Sequence, residues 1–213
     1  MGTIDLKRRF RDYFESSPDQ FTLVTLPTFD YVMVDGEGDP NTSRDYAVAI
    51  ELLYGVSYTL KFKGKKELGV DYVVPPLEGL WWAHDVRAFV AGDKSSWRWT
   101  MMIMVPAELP RSFVMSAREA YRDKKPGAPV ERVRFESLTE GLVVQILHIG
   151  PYDAEGPLLA RLHDEFMPDH ALTFNGPHHE IYLGDPRRTA PARLRTILRQ
   201  PVDVTTRAQE GSS

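Results

Sequence analysis

Two stretches in opposite halves of the chain close alike: RWTMMIMVP, residues 98–106, and LRTILRQPV, residues 194–202. Each reads as a strand running into adjacent Val and Pro. A unit that occurs twice constrains a fold more than any local propensity, because two copies of one supersecondary element can bury their apolar faces against each other. Tracing back from both endings gives the same order of elements. In the first half, FTLVTLPTFDYVMVDGEGDPN is a strand-like body ended by Gly36, Gly38 and Pro40. TSRDYAVAIELLYGVSYTLKF follows as a helix capped by Thr42 or Ser43 and apolar on most of its circumference. VDYVVPPLEGLWWA and SSWRWTMMIMVP are two strands around a turn at Gly92-Asp93. In the second half, VRFESLTEGLVVQILHIGPYD is a strand with a return and EGPLLARLHDEFM a helix with Pro157 in its first turn and Asp153 or Glu155 at its start. HHEIYLGDP and ARLRTILRQPV are the closing strands.

This pattern predicts an α+β protein in which two pseudo-twofold-related strand-helix-strand-strand repeats form antiparallel sheets around a ligand cleft. The expected organisation is one integrated domain. It has an N-terminal arm helix within residues 1–20, a first repeat over 21–106, a linking helix and the linker KKPGAP within 107–130, a second repeat over 131–203 and a disordered tail at 204–213.

Composition removes several classes of function. The 213 residues include no cysteine, which excludes disulfides, thiolate metal sites and cysteine nucleophiles and suits a cytoplasmic protein. Basic and acidic residues, 26 and 30, are interspersed to a net charge of −4, so nucleic acid is not an expected partner. No run approaches the roughly 20 apolar residues of a membrane span, and the charged start MGTIDLKRRFRDYFE is unlike a signal peptide. A protein partner is not expected either.

Candidate chemistry gathers on strands. In HHEIYLGDP, alternation sends Ile181 and Leu183 to one face and His178, Glu180 and Tyr182 to the other. Glu78, in LEGLWW, is the counterpart carboxylate of the first half, sharing a face with Leu80 and Trp82. A carboxylate among aromatic rings can balance a cationic ligand or, if desolvated, act in acid–base chemistry. Trp81 and Trp82 face opposite ways, so one of them is available to a pocket; Trp97 and Trp99 share a face. Tyr46, Ile50, Tyr54 and Tyr58 form one helical stripe. The histidines have no metal-ligand spacing, and the nucleotide and serine-hydrolase motifs are missing, so neither metal nor cofactor is expected.

YGVSYTLKF, VPPLEGLWW, HHEIYLGDPRR and LRTILRQPV, with the DGEGDPN turn and the HIGPYD return, resemble the GyrI-like small-molecule-binding family, in its stand-alone two-repeat branch. The resemblance implies a ligand cleft between the repeats. Glu180 falls at the position of the glutamate that receives cationic lipophilic compounds in related effector-binding domains. Some stand-alone members are hydrolases of cyclopropanoid, DNA-alkylating natural products. By that resemblance Glu180 is the base that activates water and Tyr182 the hydrogen-bond donor to the substrate carbonyl. Tyr54, Trp82 and Trp97 stack on a planar compound with Tyr58 and Trp99 behind them, and Glu78 is a further ligand-binding residue. The alternative within the same family is a protein that binds drugs without turning them over.

Overall fold

A computed structural model describes residues 2–83 and 94–205. The expected turn at Gly92-Asp93 and nearly all of the expected tail lie outside the described residues. Helices α1 (Leu6–Arg9) and α2 (Arg11–Phe14) form the arm. They are two turns and not the single helix the sequence suggested, because Phe10 leaves helical geometry and its ring meets Phe29 edge-on at 4.8 Å. Strands β1 (Thr22–Leu26) and β2 (Phe29–Glu37) follow, then helix α3 (Arg44–Glu67), whose N-terminus Ser43 caps by accepting from the Tyr46 N–H. Strands β3 (Leu77–Ala83) and β4 (Trp97–Val105) complete the first half, and helix α4 (Arg111–Lys124) leads to β5 (Arg134–Leu138) and β6 (Gly141–Ile149). Helix α5 (Gly156–Ala160) continues through a π-helical segment, Arg161–Phe166, into α6 (Met167–Asp169). Strands β7 (Leu172–Phe174), β8 (His178–Tyr182) and β9 (Arg195–Val204) end the described chain.

The antiparallel sheet runs β1-β6-β9-β8-β3-β4-β2-β5, with β7 paired to β9. Exchanging β1 with β5, β2 with β6, β3 with β8 and β4 with β9 reverses this order onto itself, so the pseudo-twofold axis passes between β3 and β8. The segment read from sequence as one strand body, residues 21–41, is two strands broken at Pro27-Thr28. There the chain crosses over: β1 pairs with β6 and β5 with β2, so each half lends its first strand to the other. Thr28 and Thr139, at the two crossover corners, join their hydroxyls at 2.6 Å. Among the described residues no helix is long and apolar enough to cross a membrane.

One face of the sheet carries α3 and α4 over a core that includes Val34, Leu53, Trp99 and Met101. The arm covers the other face over Tyr31, Met104, Val143 and Ile181. That second face also buries a charged row. His179, Arg199 and Gln145 are register partners across β8, β9 and β6. His179 meets Glu140 through Nδ1 at 2.9 Å and Glu78 through Nε2 at 3.0 Å, which puts a carboxylate on each ring nitrogen. Arg199 donates to Glu140 at 3.0 Å, to Gln145 and to the Tyr13 carbonyl at 2.6 Å, with its guanidinium 4.0 Å from the Tyr13 ring centre. Tyr13 in turn donates to Glu78. Burial would raise the Glu140 carboxyl, but the charges of His179 and Arg199 and their hydrogen bonds overcome it and hold the group at about 2.

Removing one member of such a set leaves the others charged and unpaired in the interior. Arg199→Met is therefore expected to cost about 3–5 kcal/mol in urea unfolding; a loss below about 1 kcal/mol would show that the row is not coupled. Glu140, depressed on folding from the usual 4.5, contributes stability that is full above that value and is lost as pH falls towards 2. The wild-type urea midpoint should accordingly decline through that range.

Candidate functional site

At the twofold axis, on the helix side of the sheet, lies a cavity of about 570 Å³, within the few hundred to a thousand Å³ typical of small-molecule sites. One wall is α3, whose i, i+4 stripe Tyr46, Ile50, Tyr54 and Tyr58 faces it as the helical spacing predicts. Tyr54 and Tyr58 stack at 6.3 Å, with Tyr58 half-exposed at the mouth. The floor is the β3–β8 seam. In its register Gly79 opposes Glu180, Leu77 opposes Tyr182 and Trp81 opposes His178. A Cβ at residue 79 would lie 2.8 Å from the Trp81 indole nitrogen, so only glycine lets the indole fold back beside Glu180.

Three floor groups form a relay. The Trp81 indole N–H donates to the Tyr182 hydroxyl at 3.0 Å, and that hydroxyl donates to Glu180 Oε2 at 2.8 Å. Burial, followed by the negative charge of Glu180, pushes the Tyr182 hydroxyl well above the ordinary phenol range, so it stays a neutral donor. Trp97 meets Trp81 edge-on at 5.7 Å, and Tyr152 meets Tyr182 edge-on at 5.6 Å. Glu180 is largely buried and His178 Nε2 lies 3.6 Å from its Oε1. The arginines that might have neutralised Glu180 are engaged elsewhere: Arg187 pairs with Asp185 and Arg98 with Glu37.

Of the residues expected at the site, Glu180, Tyr182, Tyr54, Tyr58 and Trp97 come together at the cavity. Three others do not. Glu78 points to the opposite face of β3, where it is fully buried against His179 and Tyr13. Trp82, two residues beyond Leu80 on that same face, lies away from the cavity that Trp81 lines. Trp99 is fully buried behind Tyr46, in the space that Gly36 leaves by having no side chain, and its indole donates to the Gly38 carbonyl.

Sequence reasoning missed Trp81, Tyr152 and above all Glu155 as site residues. Glu155 precedes α5 and read as a helix-start carboxylate, yet its side chain lines the cavity and is only 5% exposed. Its Oε1 has no hydrogen-bond partner. Burial and then the charge of Glu180 raise this carboxyl to about 9, with a hydrogen bond to Thr196 and then the charge of Lys94 opposing only in part. The pair thus resembles other two-carboxylate sites, in which like charges cannot both be present cheaply. Among the described residues no group of three or more His, Asp or Glu is placed to hold a metal ion.

Two measurements check this geometry. Because folding raises the Glu155 carboxyl from about 4.5 to about 9, its favourable contribution is present below the lower value and lost as pH rises to the higher. Glu155→Gln should leave stability nearly unchanged at pH 5 and raise it progressively towards pH 9; a constant difference between variant and parent across that range would contradict the assignment. In tryptophan-fluorescence titrations with a planar lipophilic compound, Trp81→Ala should weaken binding by about tenfold or more, as loss of a buried aromatic contact implies, while Trp82→Ala should not.

The chain is similar to several proteins of known structure. A family model described as the GyrI-like small molecule binding domain matches residues 19–203. A crystal structure of an uncharacterized conserved protein from Listeria innocua shares 34% identity with a TM-score of 0.86, covering 94% of this chain and 100% of that one. A hydrolase from Listeria innocua shares 33% identity with a TM-score of 0.82 over 94% of this chain and 100% of its own. A further hydrolase structure from that organism gives 33% and 0.83 over 95% and 100%. No curated protein matches. With the family model spanning most of its length and close structural relatives over nearly all of it, this chain belongs to the GyrI-like small-molecule-binding family.

Proposed function

We propose that the cavity binds planar, lipophilic small molecules and hydrolyses cyclopropanoid DNA-alkylating natural products, a detoxifying reaction carried out in the cytoplasm without nucleic acid or membrane. The observation that carries this reading is the Glu180 carboxylate held by the Tyr182 hydroxyl at 2.8 Å on the floor of an aromatic cavity. The hydrolase designation of the Listeria relatives supports water as co-substrate, and the family resemblance supplies the substrate class.

The chemistry needs a held flat substrate and an aimed base. Tyr46, Tyr54 and Trp81 offer apolar faces for a polycyclic ring system. Glu180, with one oxygen fixed by Tyr182, takes a proton from water as the water oxygen attacks the strained methylene carbon. The cyclopropane C–C bond breaks and its electron pair flows through the conjugated ring to the carbonyl oxygen. In this arrangement Tyr182, which donates to Glu180, acts as a positioning residue for the base.

A second reading, capture without turnover, is favoured by one feature. Among the described residues Glu180 has no lysine or arginine within ion-pair distance, so its charge is free to balance a cationic ligand. One experiment separates the two. Incubated with a cyclopropanoid alkylator, the wild-type protein should release a product heavier by one water in mass spectrometry. Glu180→Gln should lose about 10²–10⁴-fold in turnover, the usual contribution of a general base, while still binding a neutral ligand. Unchanged ligand in a stable complex, with Glu180→Gln weakening only cations, would establish the binder instead.

A further inference from the structure

A ligand oxygen in the cavity has several donors within its walls, the hydroxyls of Tyr46, Tyr54 and Tyr152 among them, but a protonated carboxyl is a stronger donor than a phenol. The Glu155 side chain supplies one. It comes from the turn ahead of α5, enters the cavity beside β8, and is held almost wholly out of water with Oε1 unpaired. A buried polar atom without a partner is costly, and Glu155 stands at the wall of a cavity where a ligand can supply one. We propose that the Glu155 carboxyl is the hydrogen-bond donor of this site, binding a carbonyl or similar neutral acceptor on the ligand and giving up its proton to that oxygen in the reaction.

The protonation state agrees with the geometry. With its carboxyl raised to about 9, Glu155 carries its proton at neutral pH, and donation is then the one role its unpaired oxygen side can fill towards a carbonyl. The groups that face it are Glu180 on β8, Lys94 ahead of β4, Asp153 and Tyr152 in its own turn, and the uncharged Thr196 of β9. Tyr152, itself raised to about 12, does not ionise in the same range. Glu180 therefore removes a proton at one end of the substrate and Glu155 delivers one at the other.

The hydrolytic step rests on the proposed function and balances. The water oxygen bonds to the methylene carbon, the cyclopropane bond breaks, Glu180 gains the water proton, and Glu155 protonates the carbonyl oxygen to leave a phenol. A proton passing from Glu180 to Glu155 through solvent restores the starting state. The binding half of the proposal does not depend on that reaction.

The test uses 9-fluorenone, planar, neutral and carrying one carbonyl, and fluorene, which has the same outline without it. Affinities are read by tryptophan quenching between pH 7 and 10. The wild-type protein should prefer fluorenone by about 5- to 10-fold at pH 7, the value of one neutral hydrogen bond, and should lose that preference as Glu155 ionises around pH 9. Glu155→Gln, which keeps an N–H donor, should retain the preference but show no pH dependence; Glu155→Ala should abolish it. A wild-type ratio near one, or a preference that survives in Glu155→Ala or follows Tyr152→Phe instead, would overturn the proposal. Water addition to a cyclopropanoid is measured separately: the fluorenone result with no hydrated product would sink the hydrolase reading and leave the donor standing, and hydrated product with no fluorenone preference would do the reverse.

Discussion

The cavity's geometry depends on a row of buried charge on the opposite face of the sheet. Strand side chains alternate with a period of two, so a slip of one residue along the β3–β8 seam would exchange every group between faces. Glu180 would then point at the arm and His179 into the cavity. His179 prevents this, since its two ring nitrogens are each engaged by a carboxylate, Glu78 from the neighbouring strand and Glu140 from the turn before β6. Arg199 beside it closes the set and reaches the backbone of the arm at Tyr13. Hydrophobic residues of similar volume could fill that space at comparable stability, but they would accept more than one register. On this account the row specifies alignment, and the direction of the Glu180 side chain is its consequence.

How much of this could be read from the sequence follows from which signals are local. The alternation within HHEIYLGDP separates Ile181 from Glu180 and Tyr182 without further knowledge, and the structure divides them in that way. The helical stripe from Tyr46 to Tyr58 is equally local. The choice between Trp81 and Trp82 is not, because two adjacent indoles carry the same propensity and only the sheet's two faces tell them apart. Glu78 looked like a ligand group because the partners that claim it are distant in the chain: Tyr13 is 65 residues away and His179 101. Trp99 has a similar history, its burial depending on the bare backbone of Gly36 on a neighbouring strand. Glu155 was hidden for a different reason, since an acid before a Gly-Pro helix start has a sufficient local explanation and gives no sign that the helix end faces a cavity.

Glu180 and Glu155 also act on each other, since the charge of Glu180 helps to raise the Glu155 carboxyl. Two buried acids sharing a site at neutral pH hold one charge between them at lower cost than two. The hydroxyl of Tyr182 donates to Glu180, whereas Oε1 of Glu155 has no hydrogen-bond partner and Thr196 offsets the rise of its carboxyl only in part. Glu155 is therefore the carboxyl that keeps its proton at neutral pH. In the proposed reaction, the division between base and proton carrier follows that difference in surroundings.

The fold is near symmetric but its chemistry is not, and the asymmetry follows the repeats. On the cavity face of β3 stand Leu77, Gly79 and Trp81; on that of β8 stand His178, Glu180 and Tyr182. The first half's helix is a regular 24-residue element presenting tyrosines. The second half's equivalent is short and passes through π geometry at Arg161–Phe166, a distortion often found beside functional sites. Buried side-chain atoms of this half that make no hydrogen bond include Glu155 Oε1, His163 Nε2 and His178 Nδ1. Such groups lower stability where they stand; the tyrosine helix carries one as well, Ser57 Oγ. One repeat thus gives the cavity its tyrosine stripe, and the other gives it its carboxylates. The glycine that replaces a side chain opposite Glu180 is the point where the two meet, because any larger residue there would drive the Trp81 indole off the relay that positions Glu180.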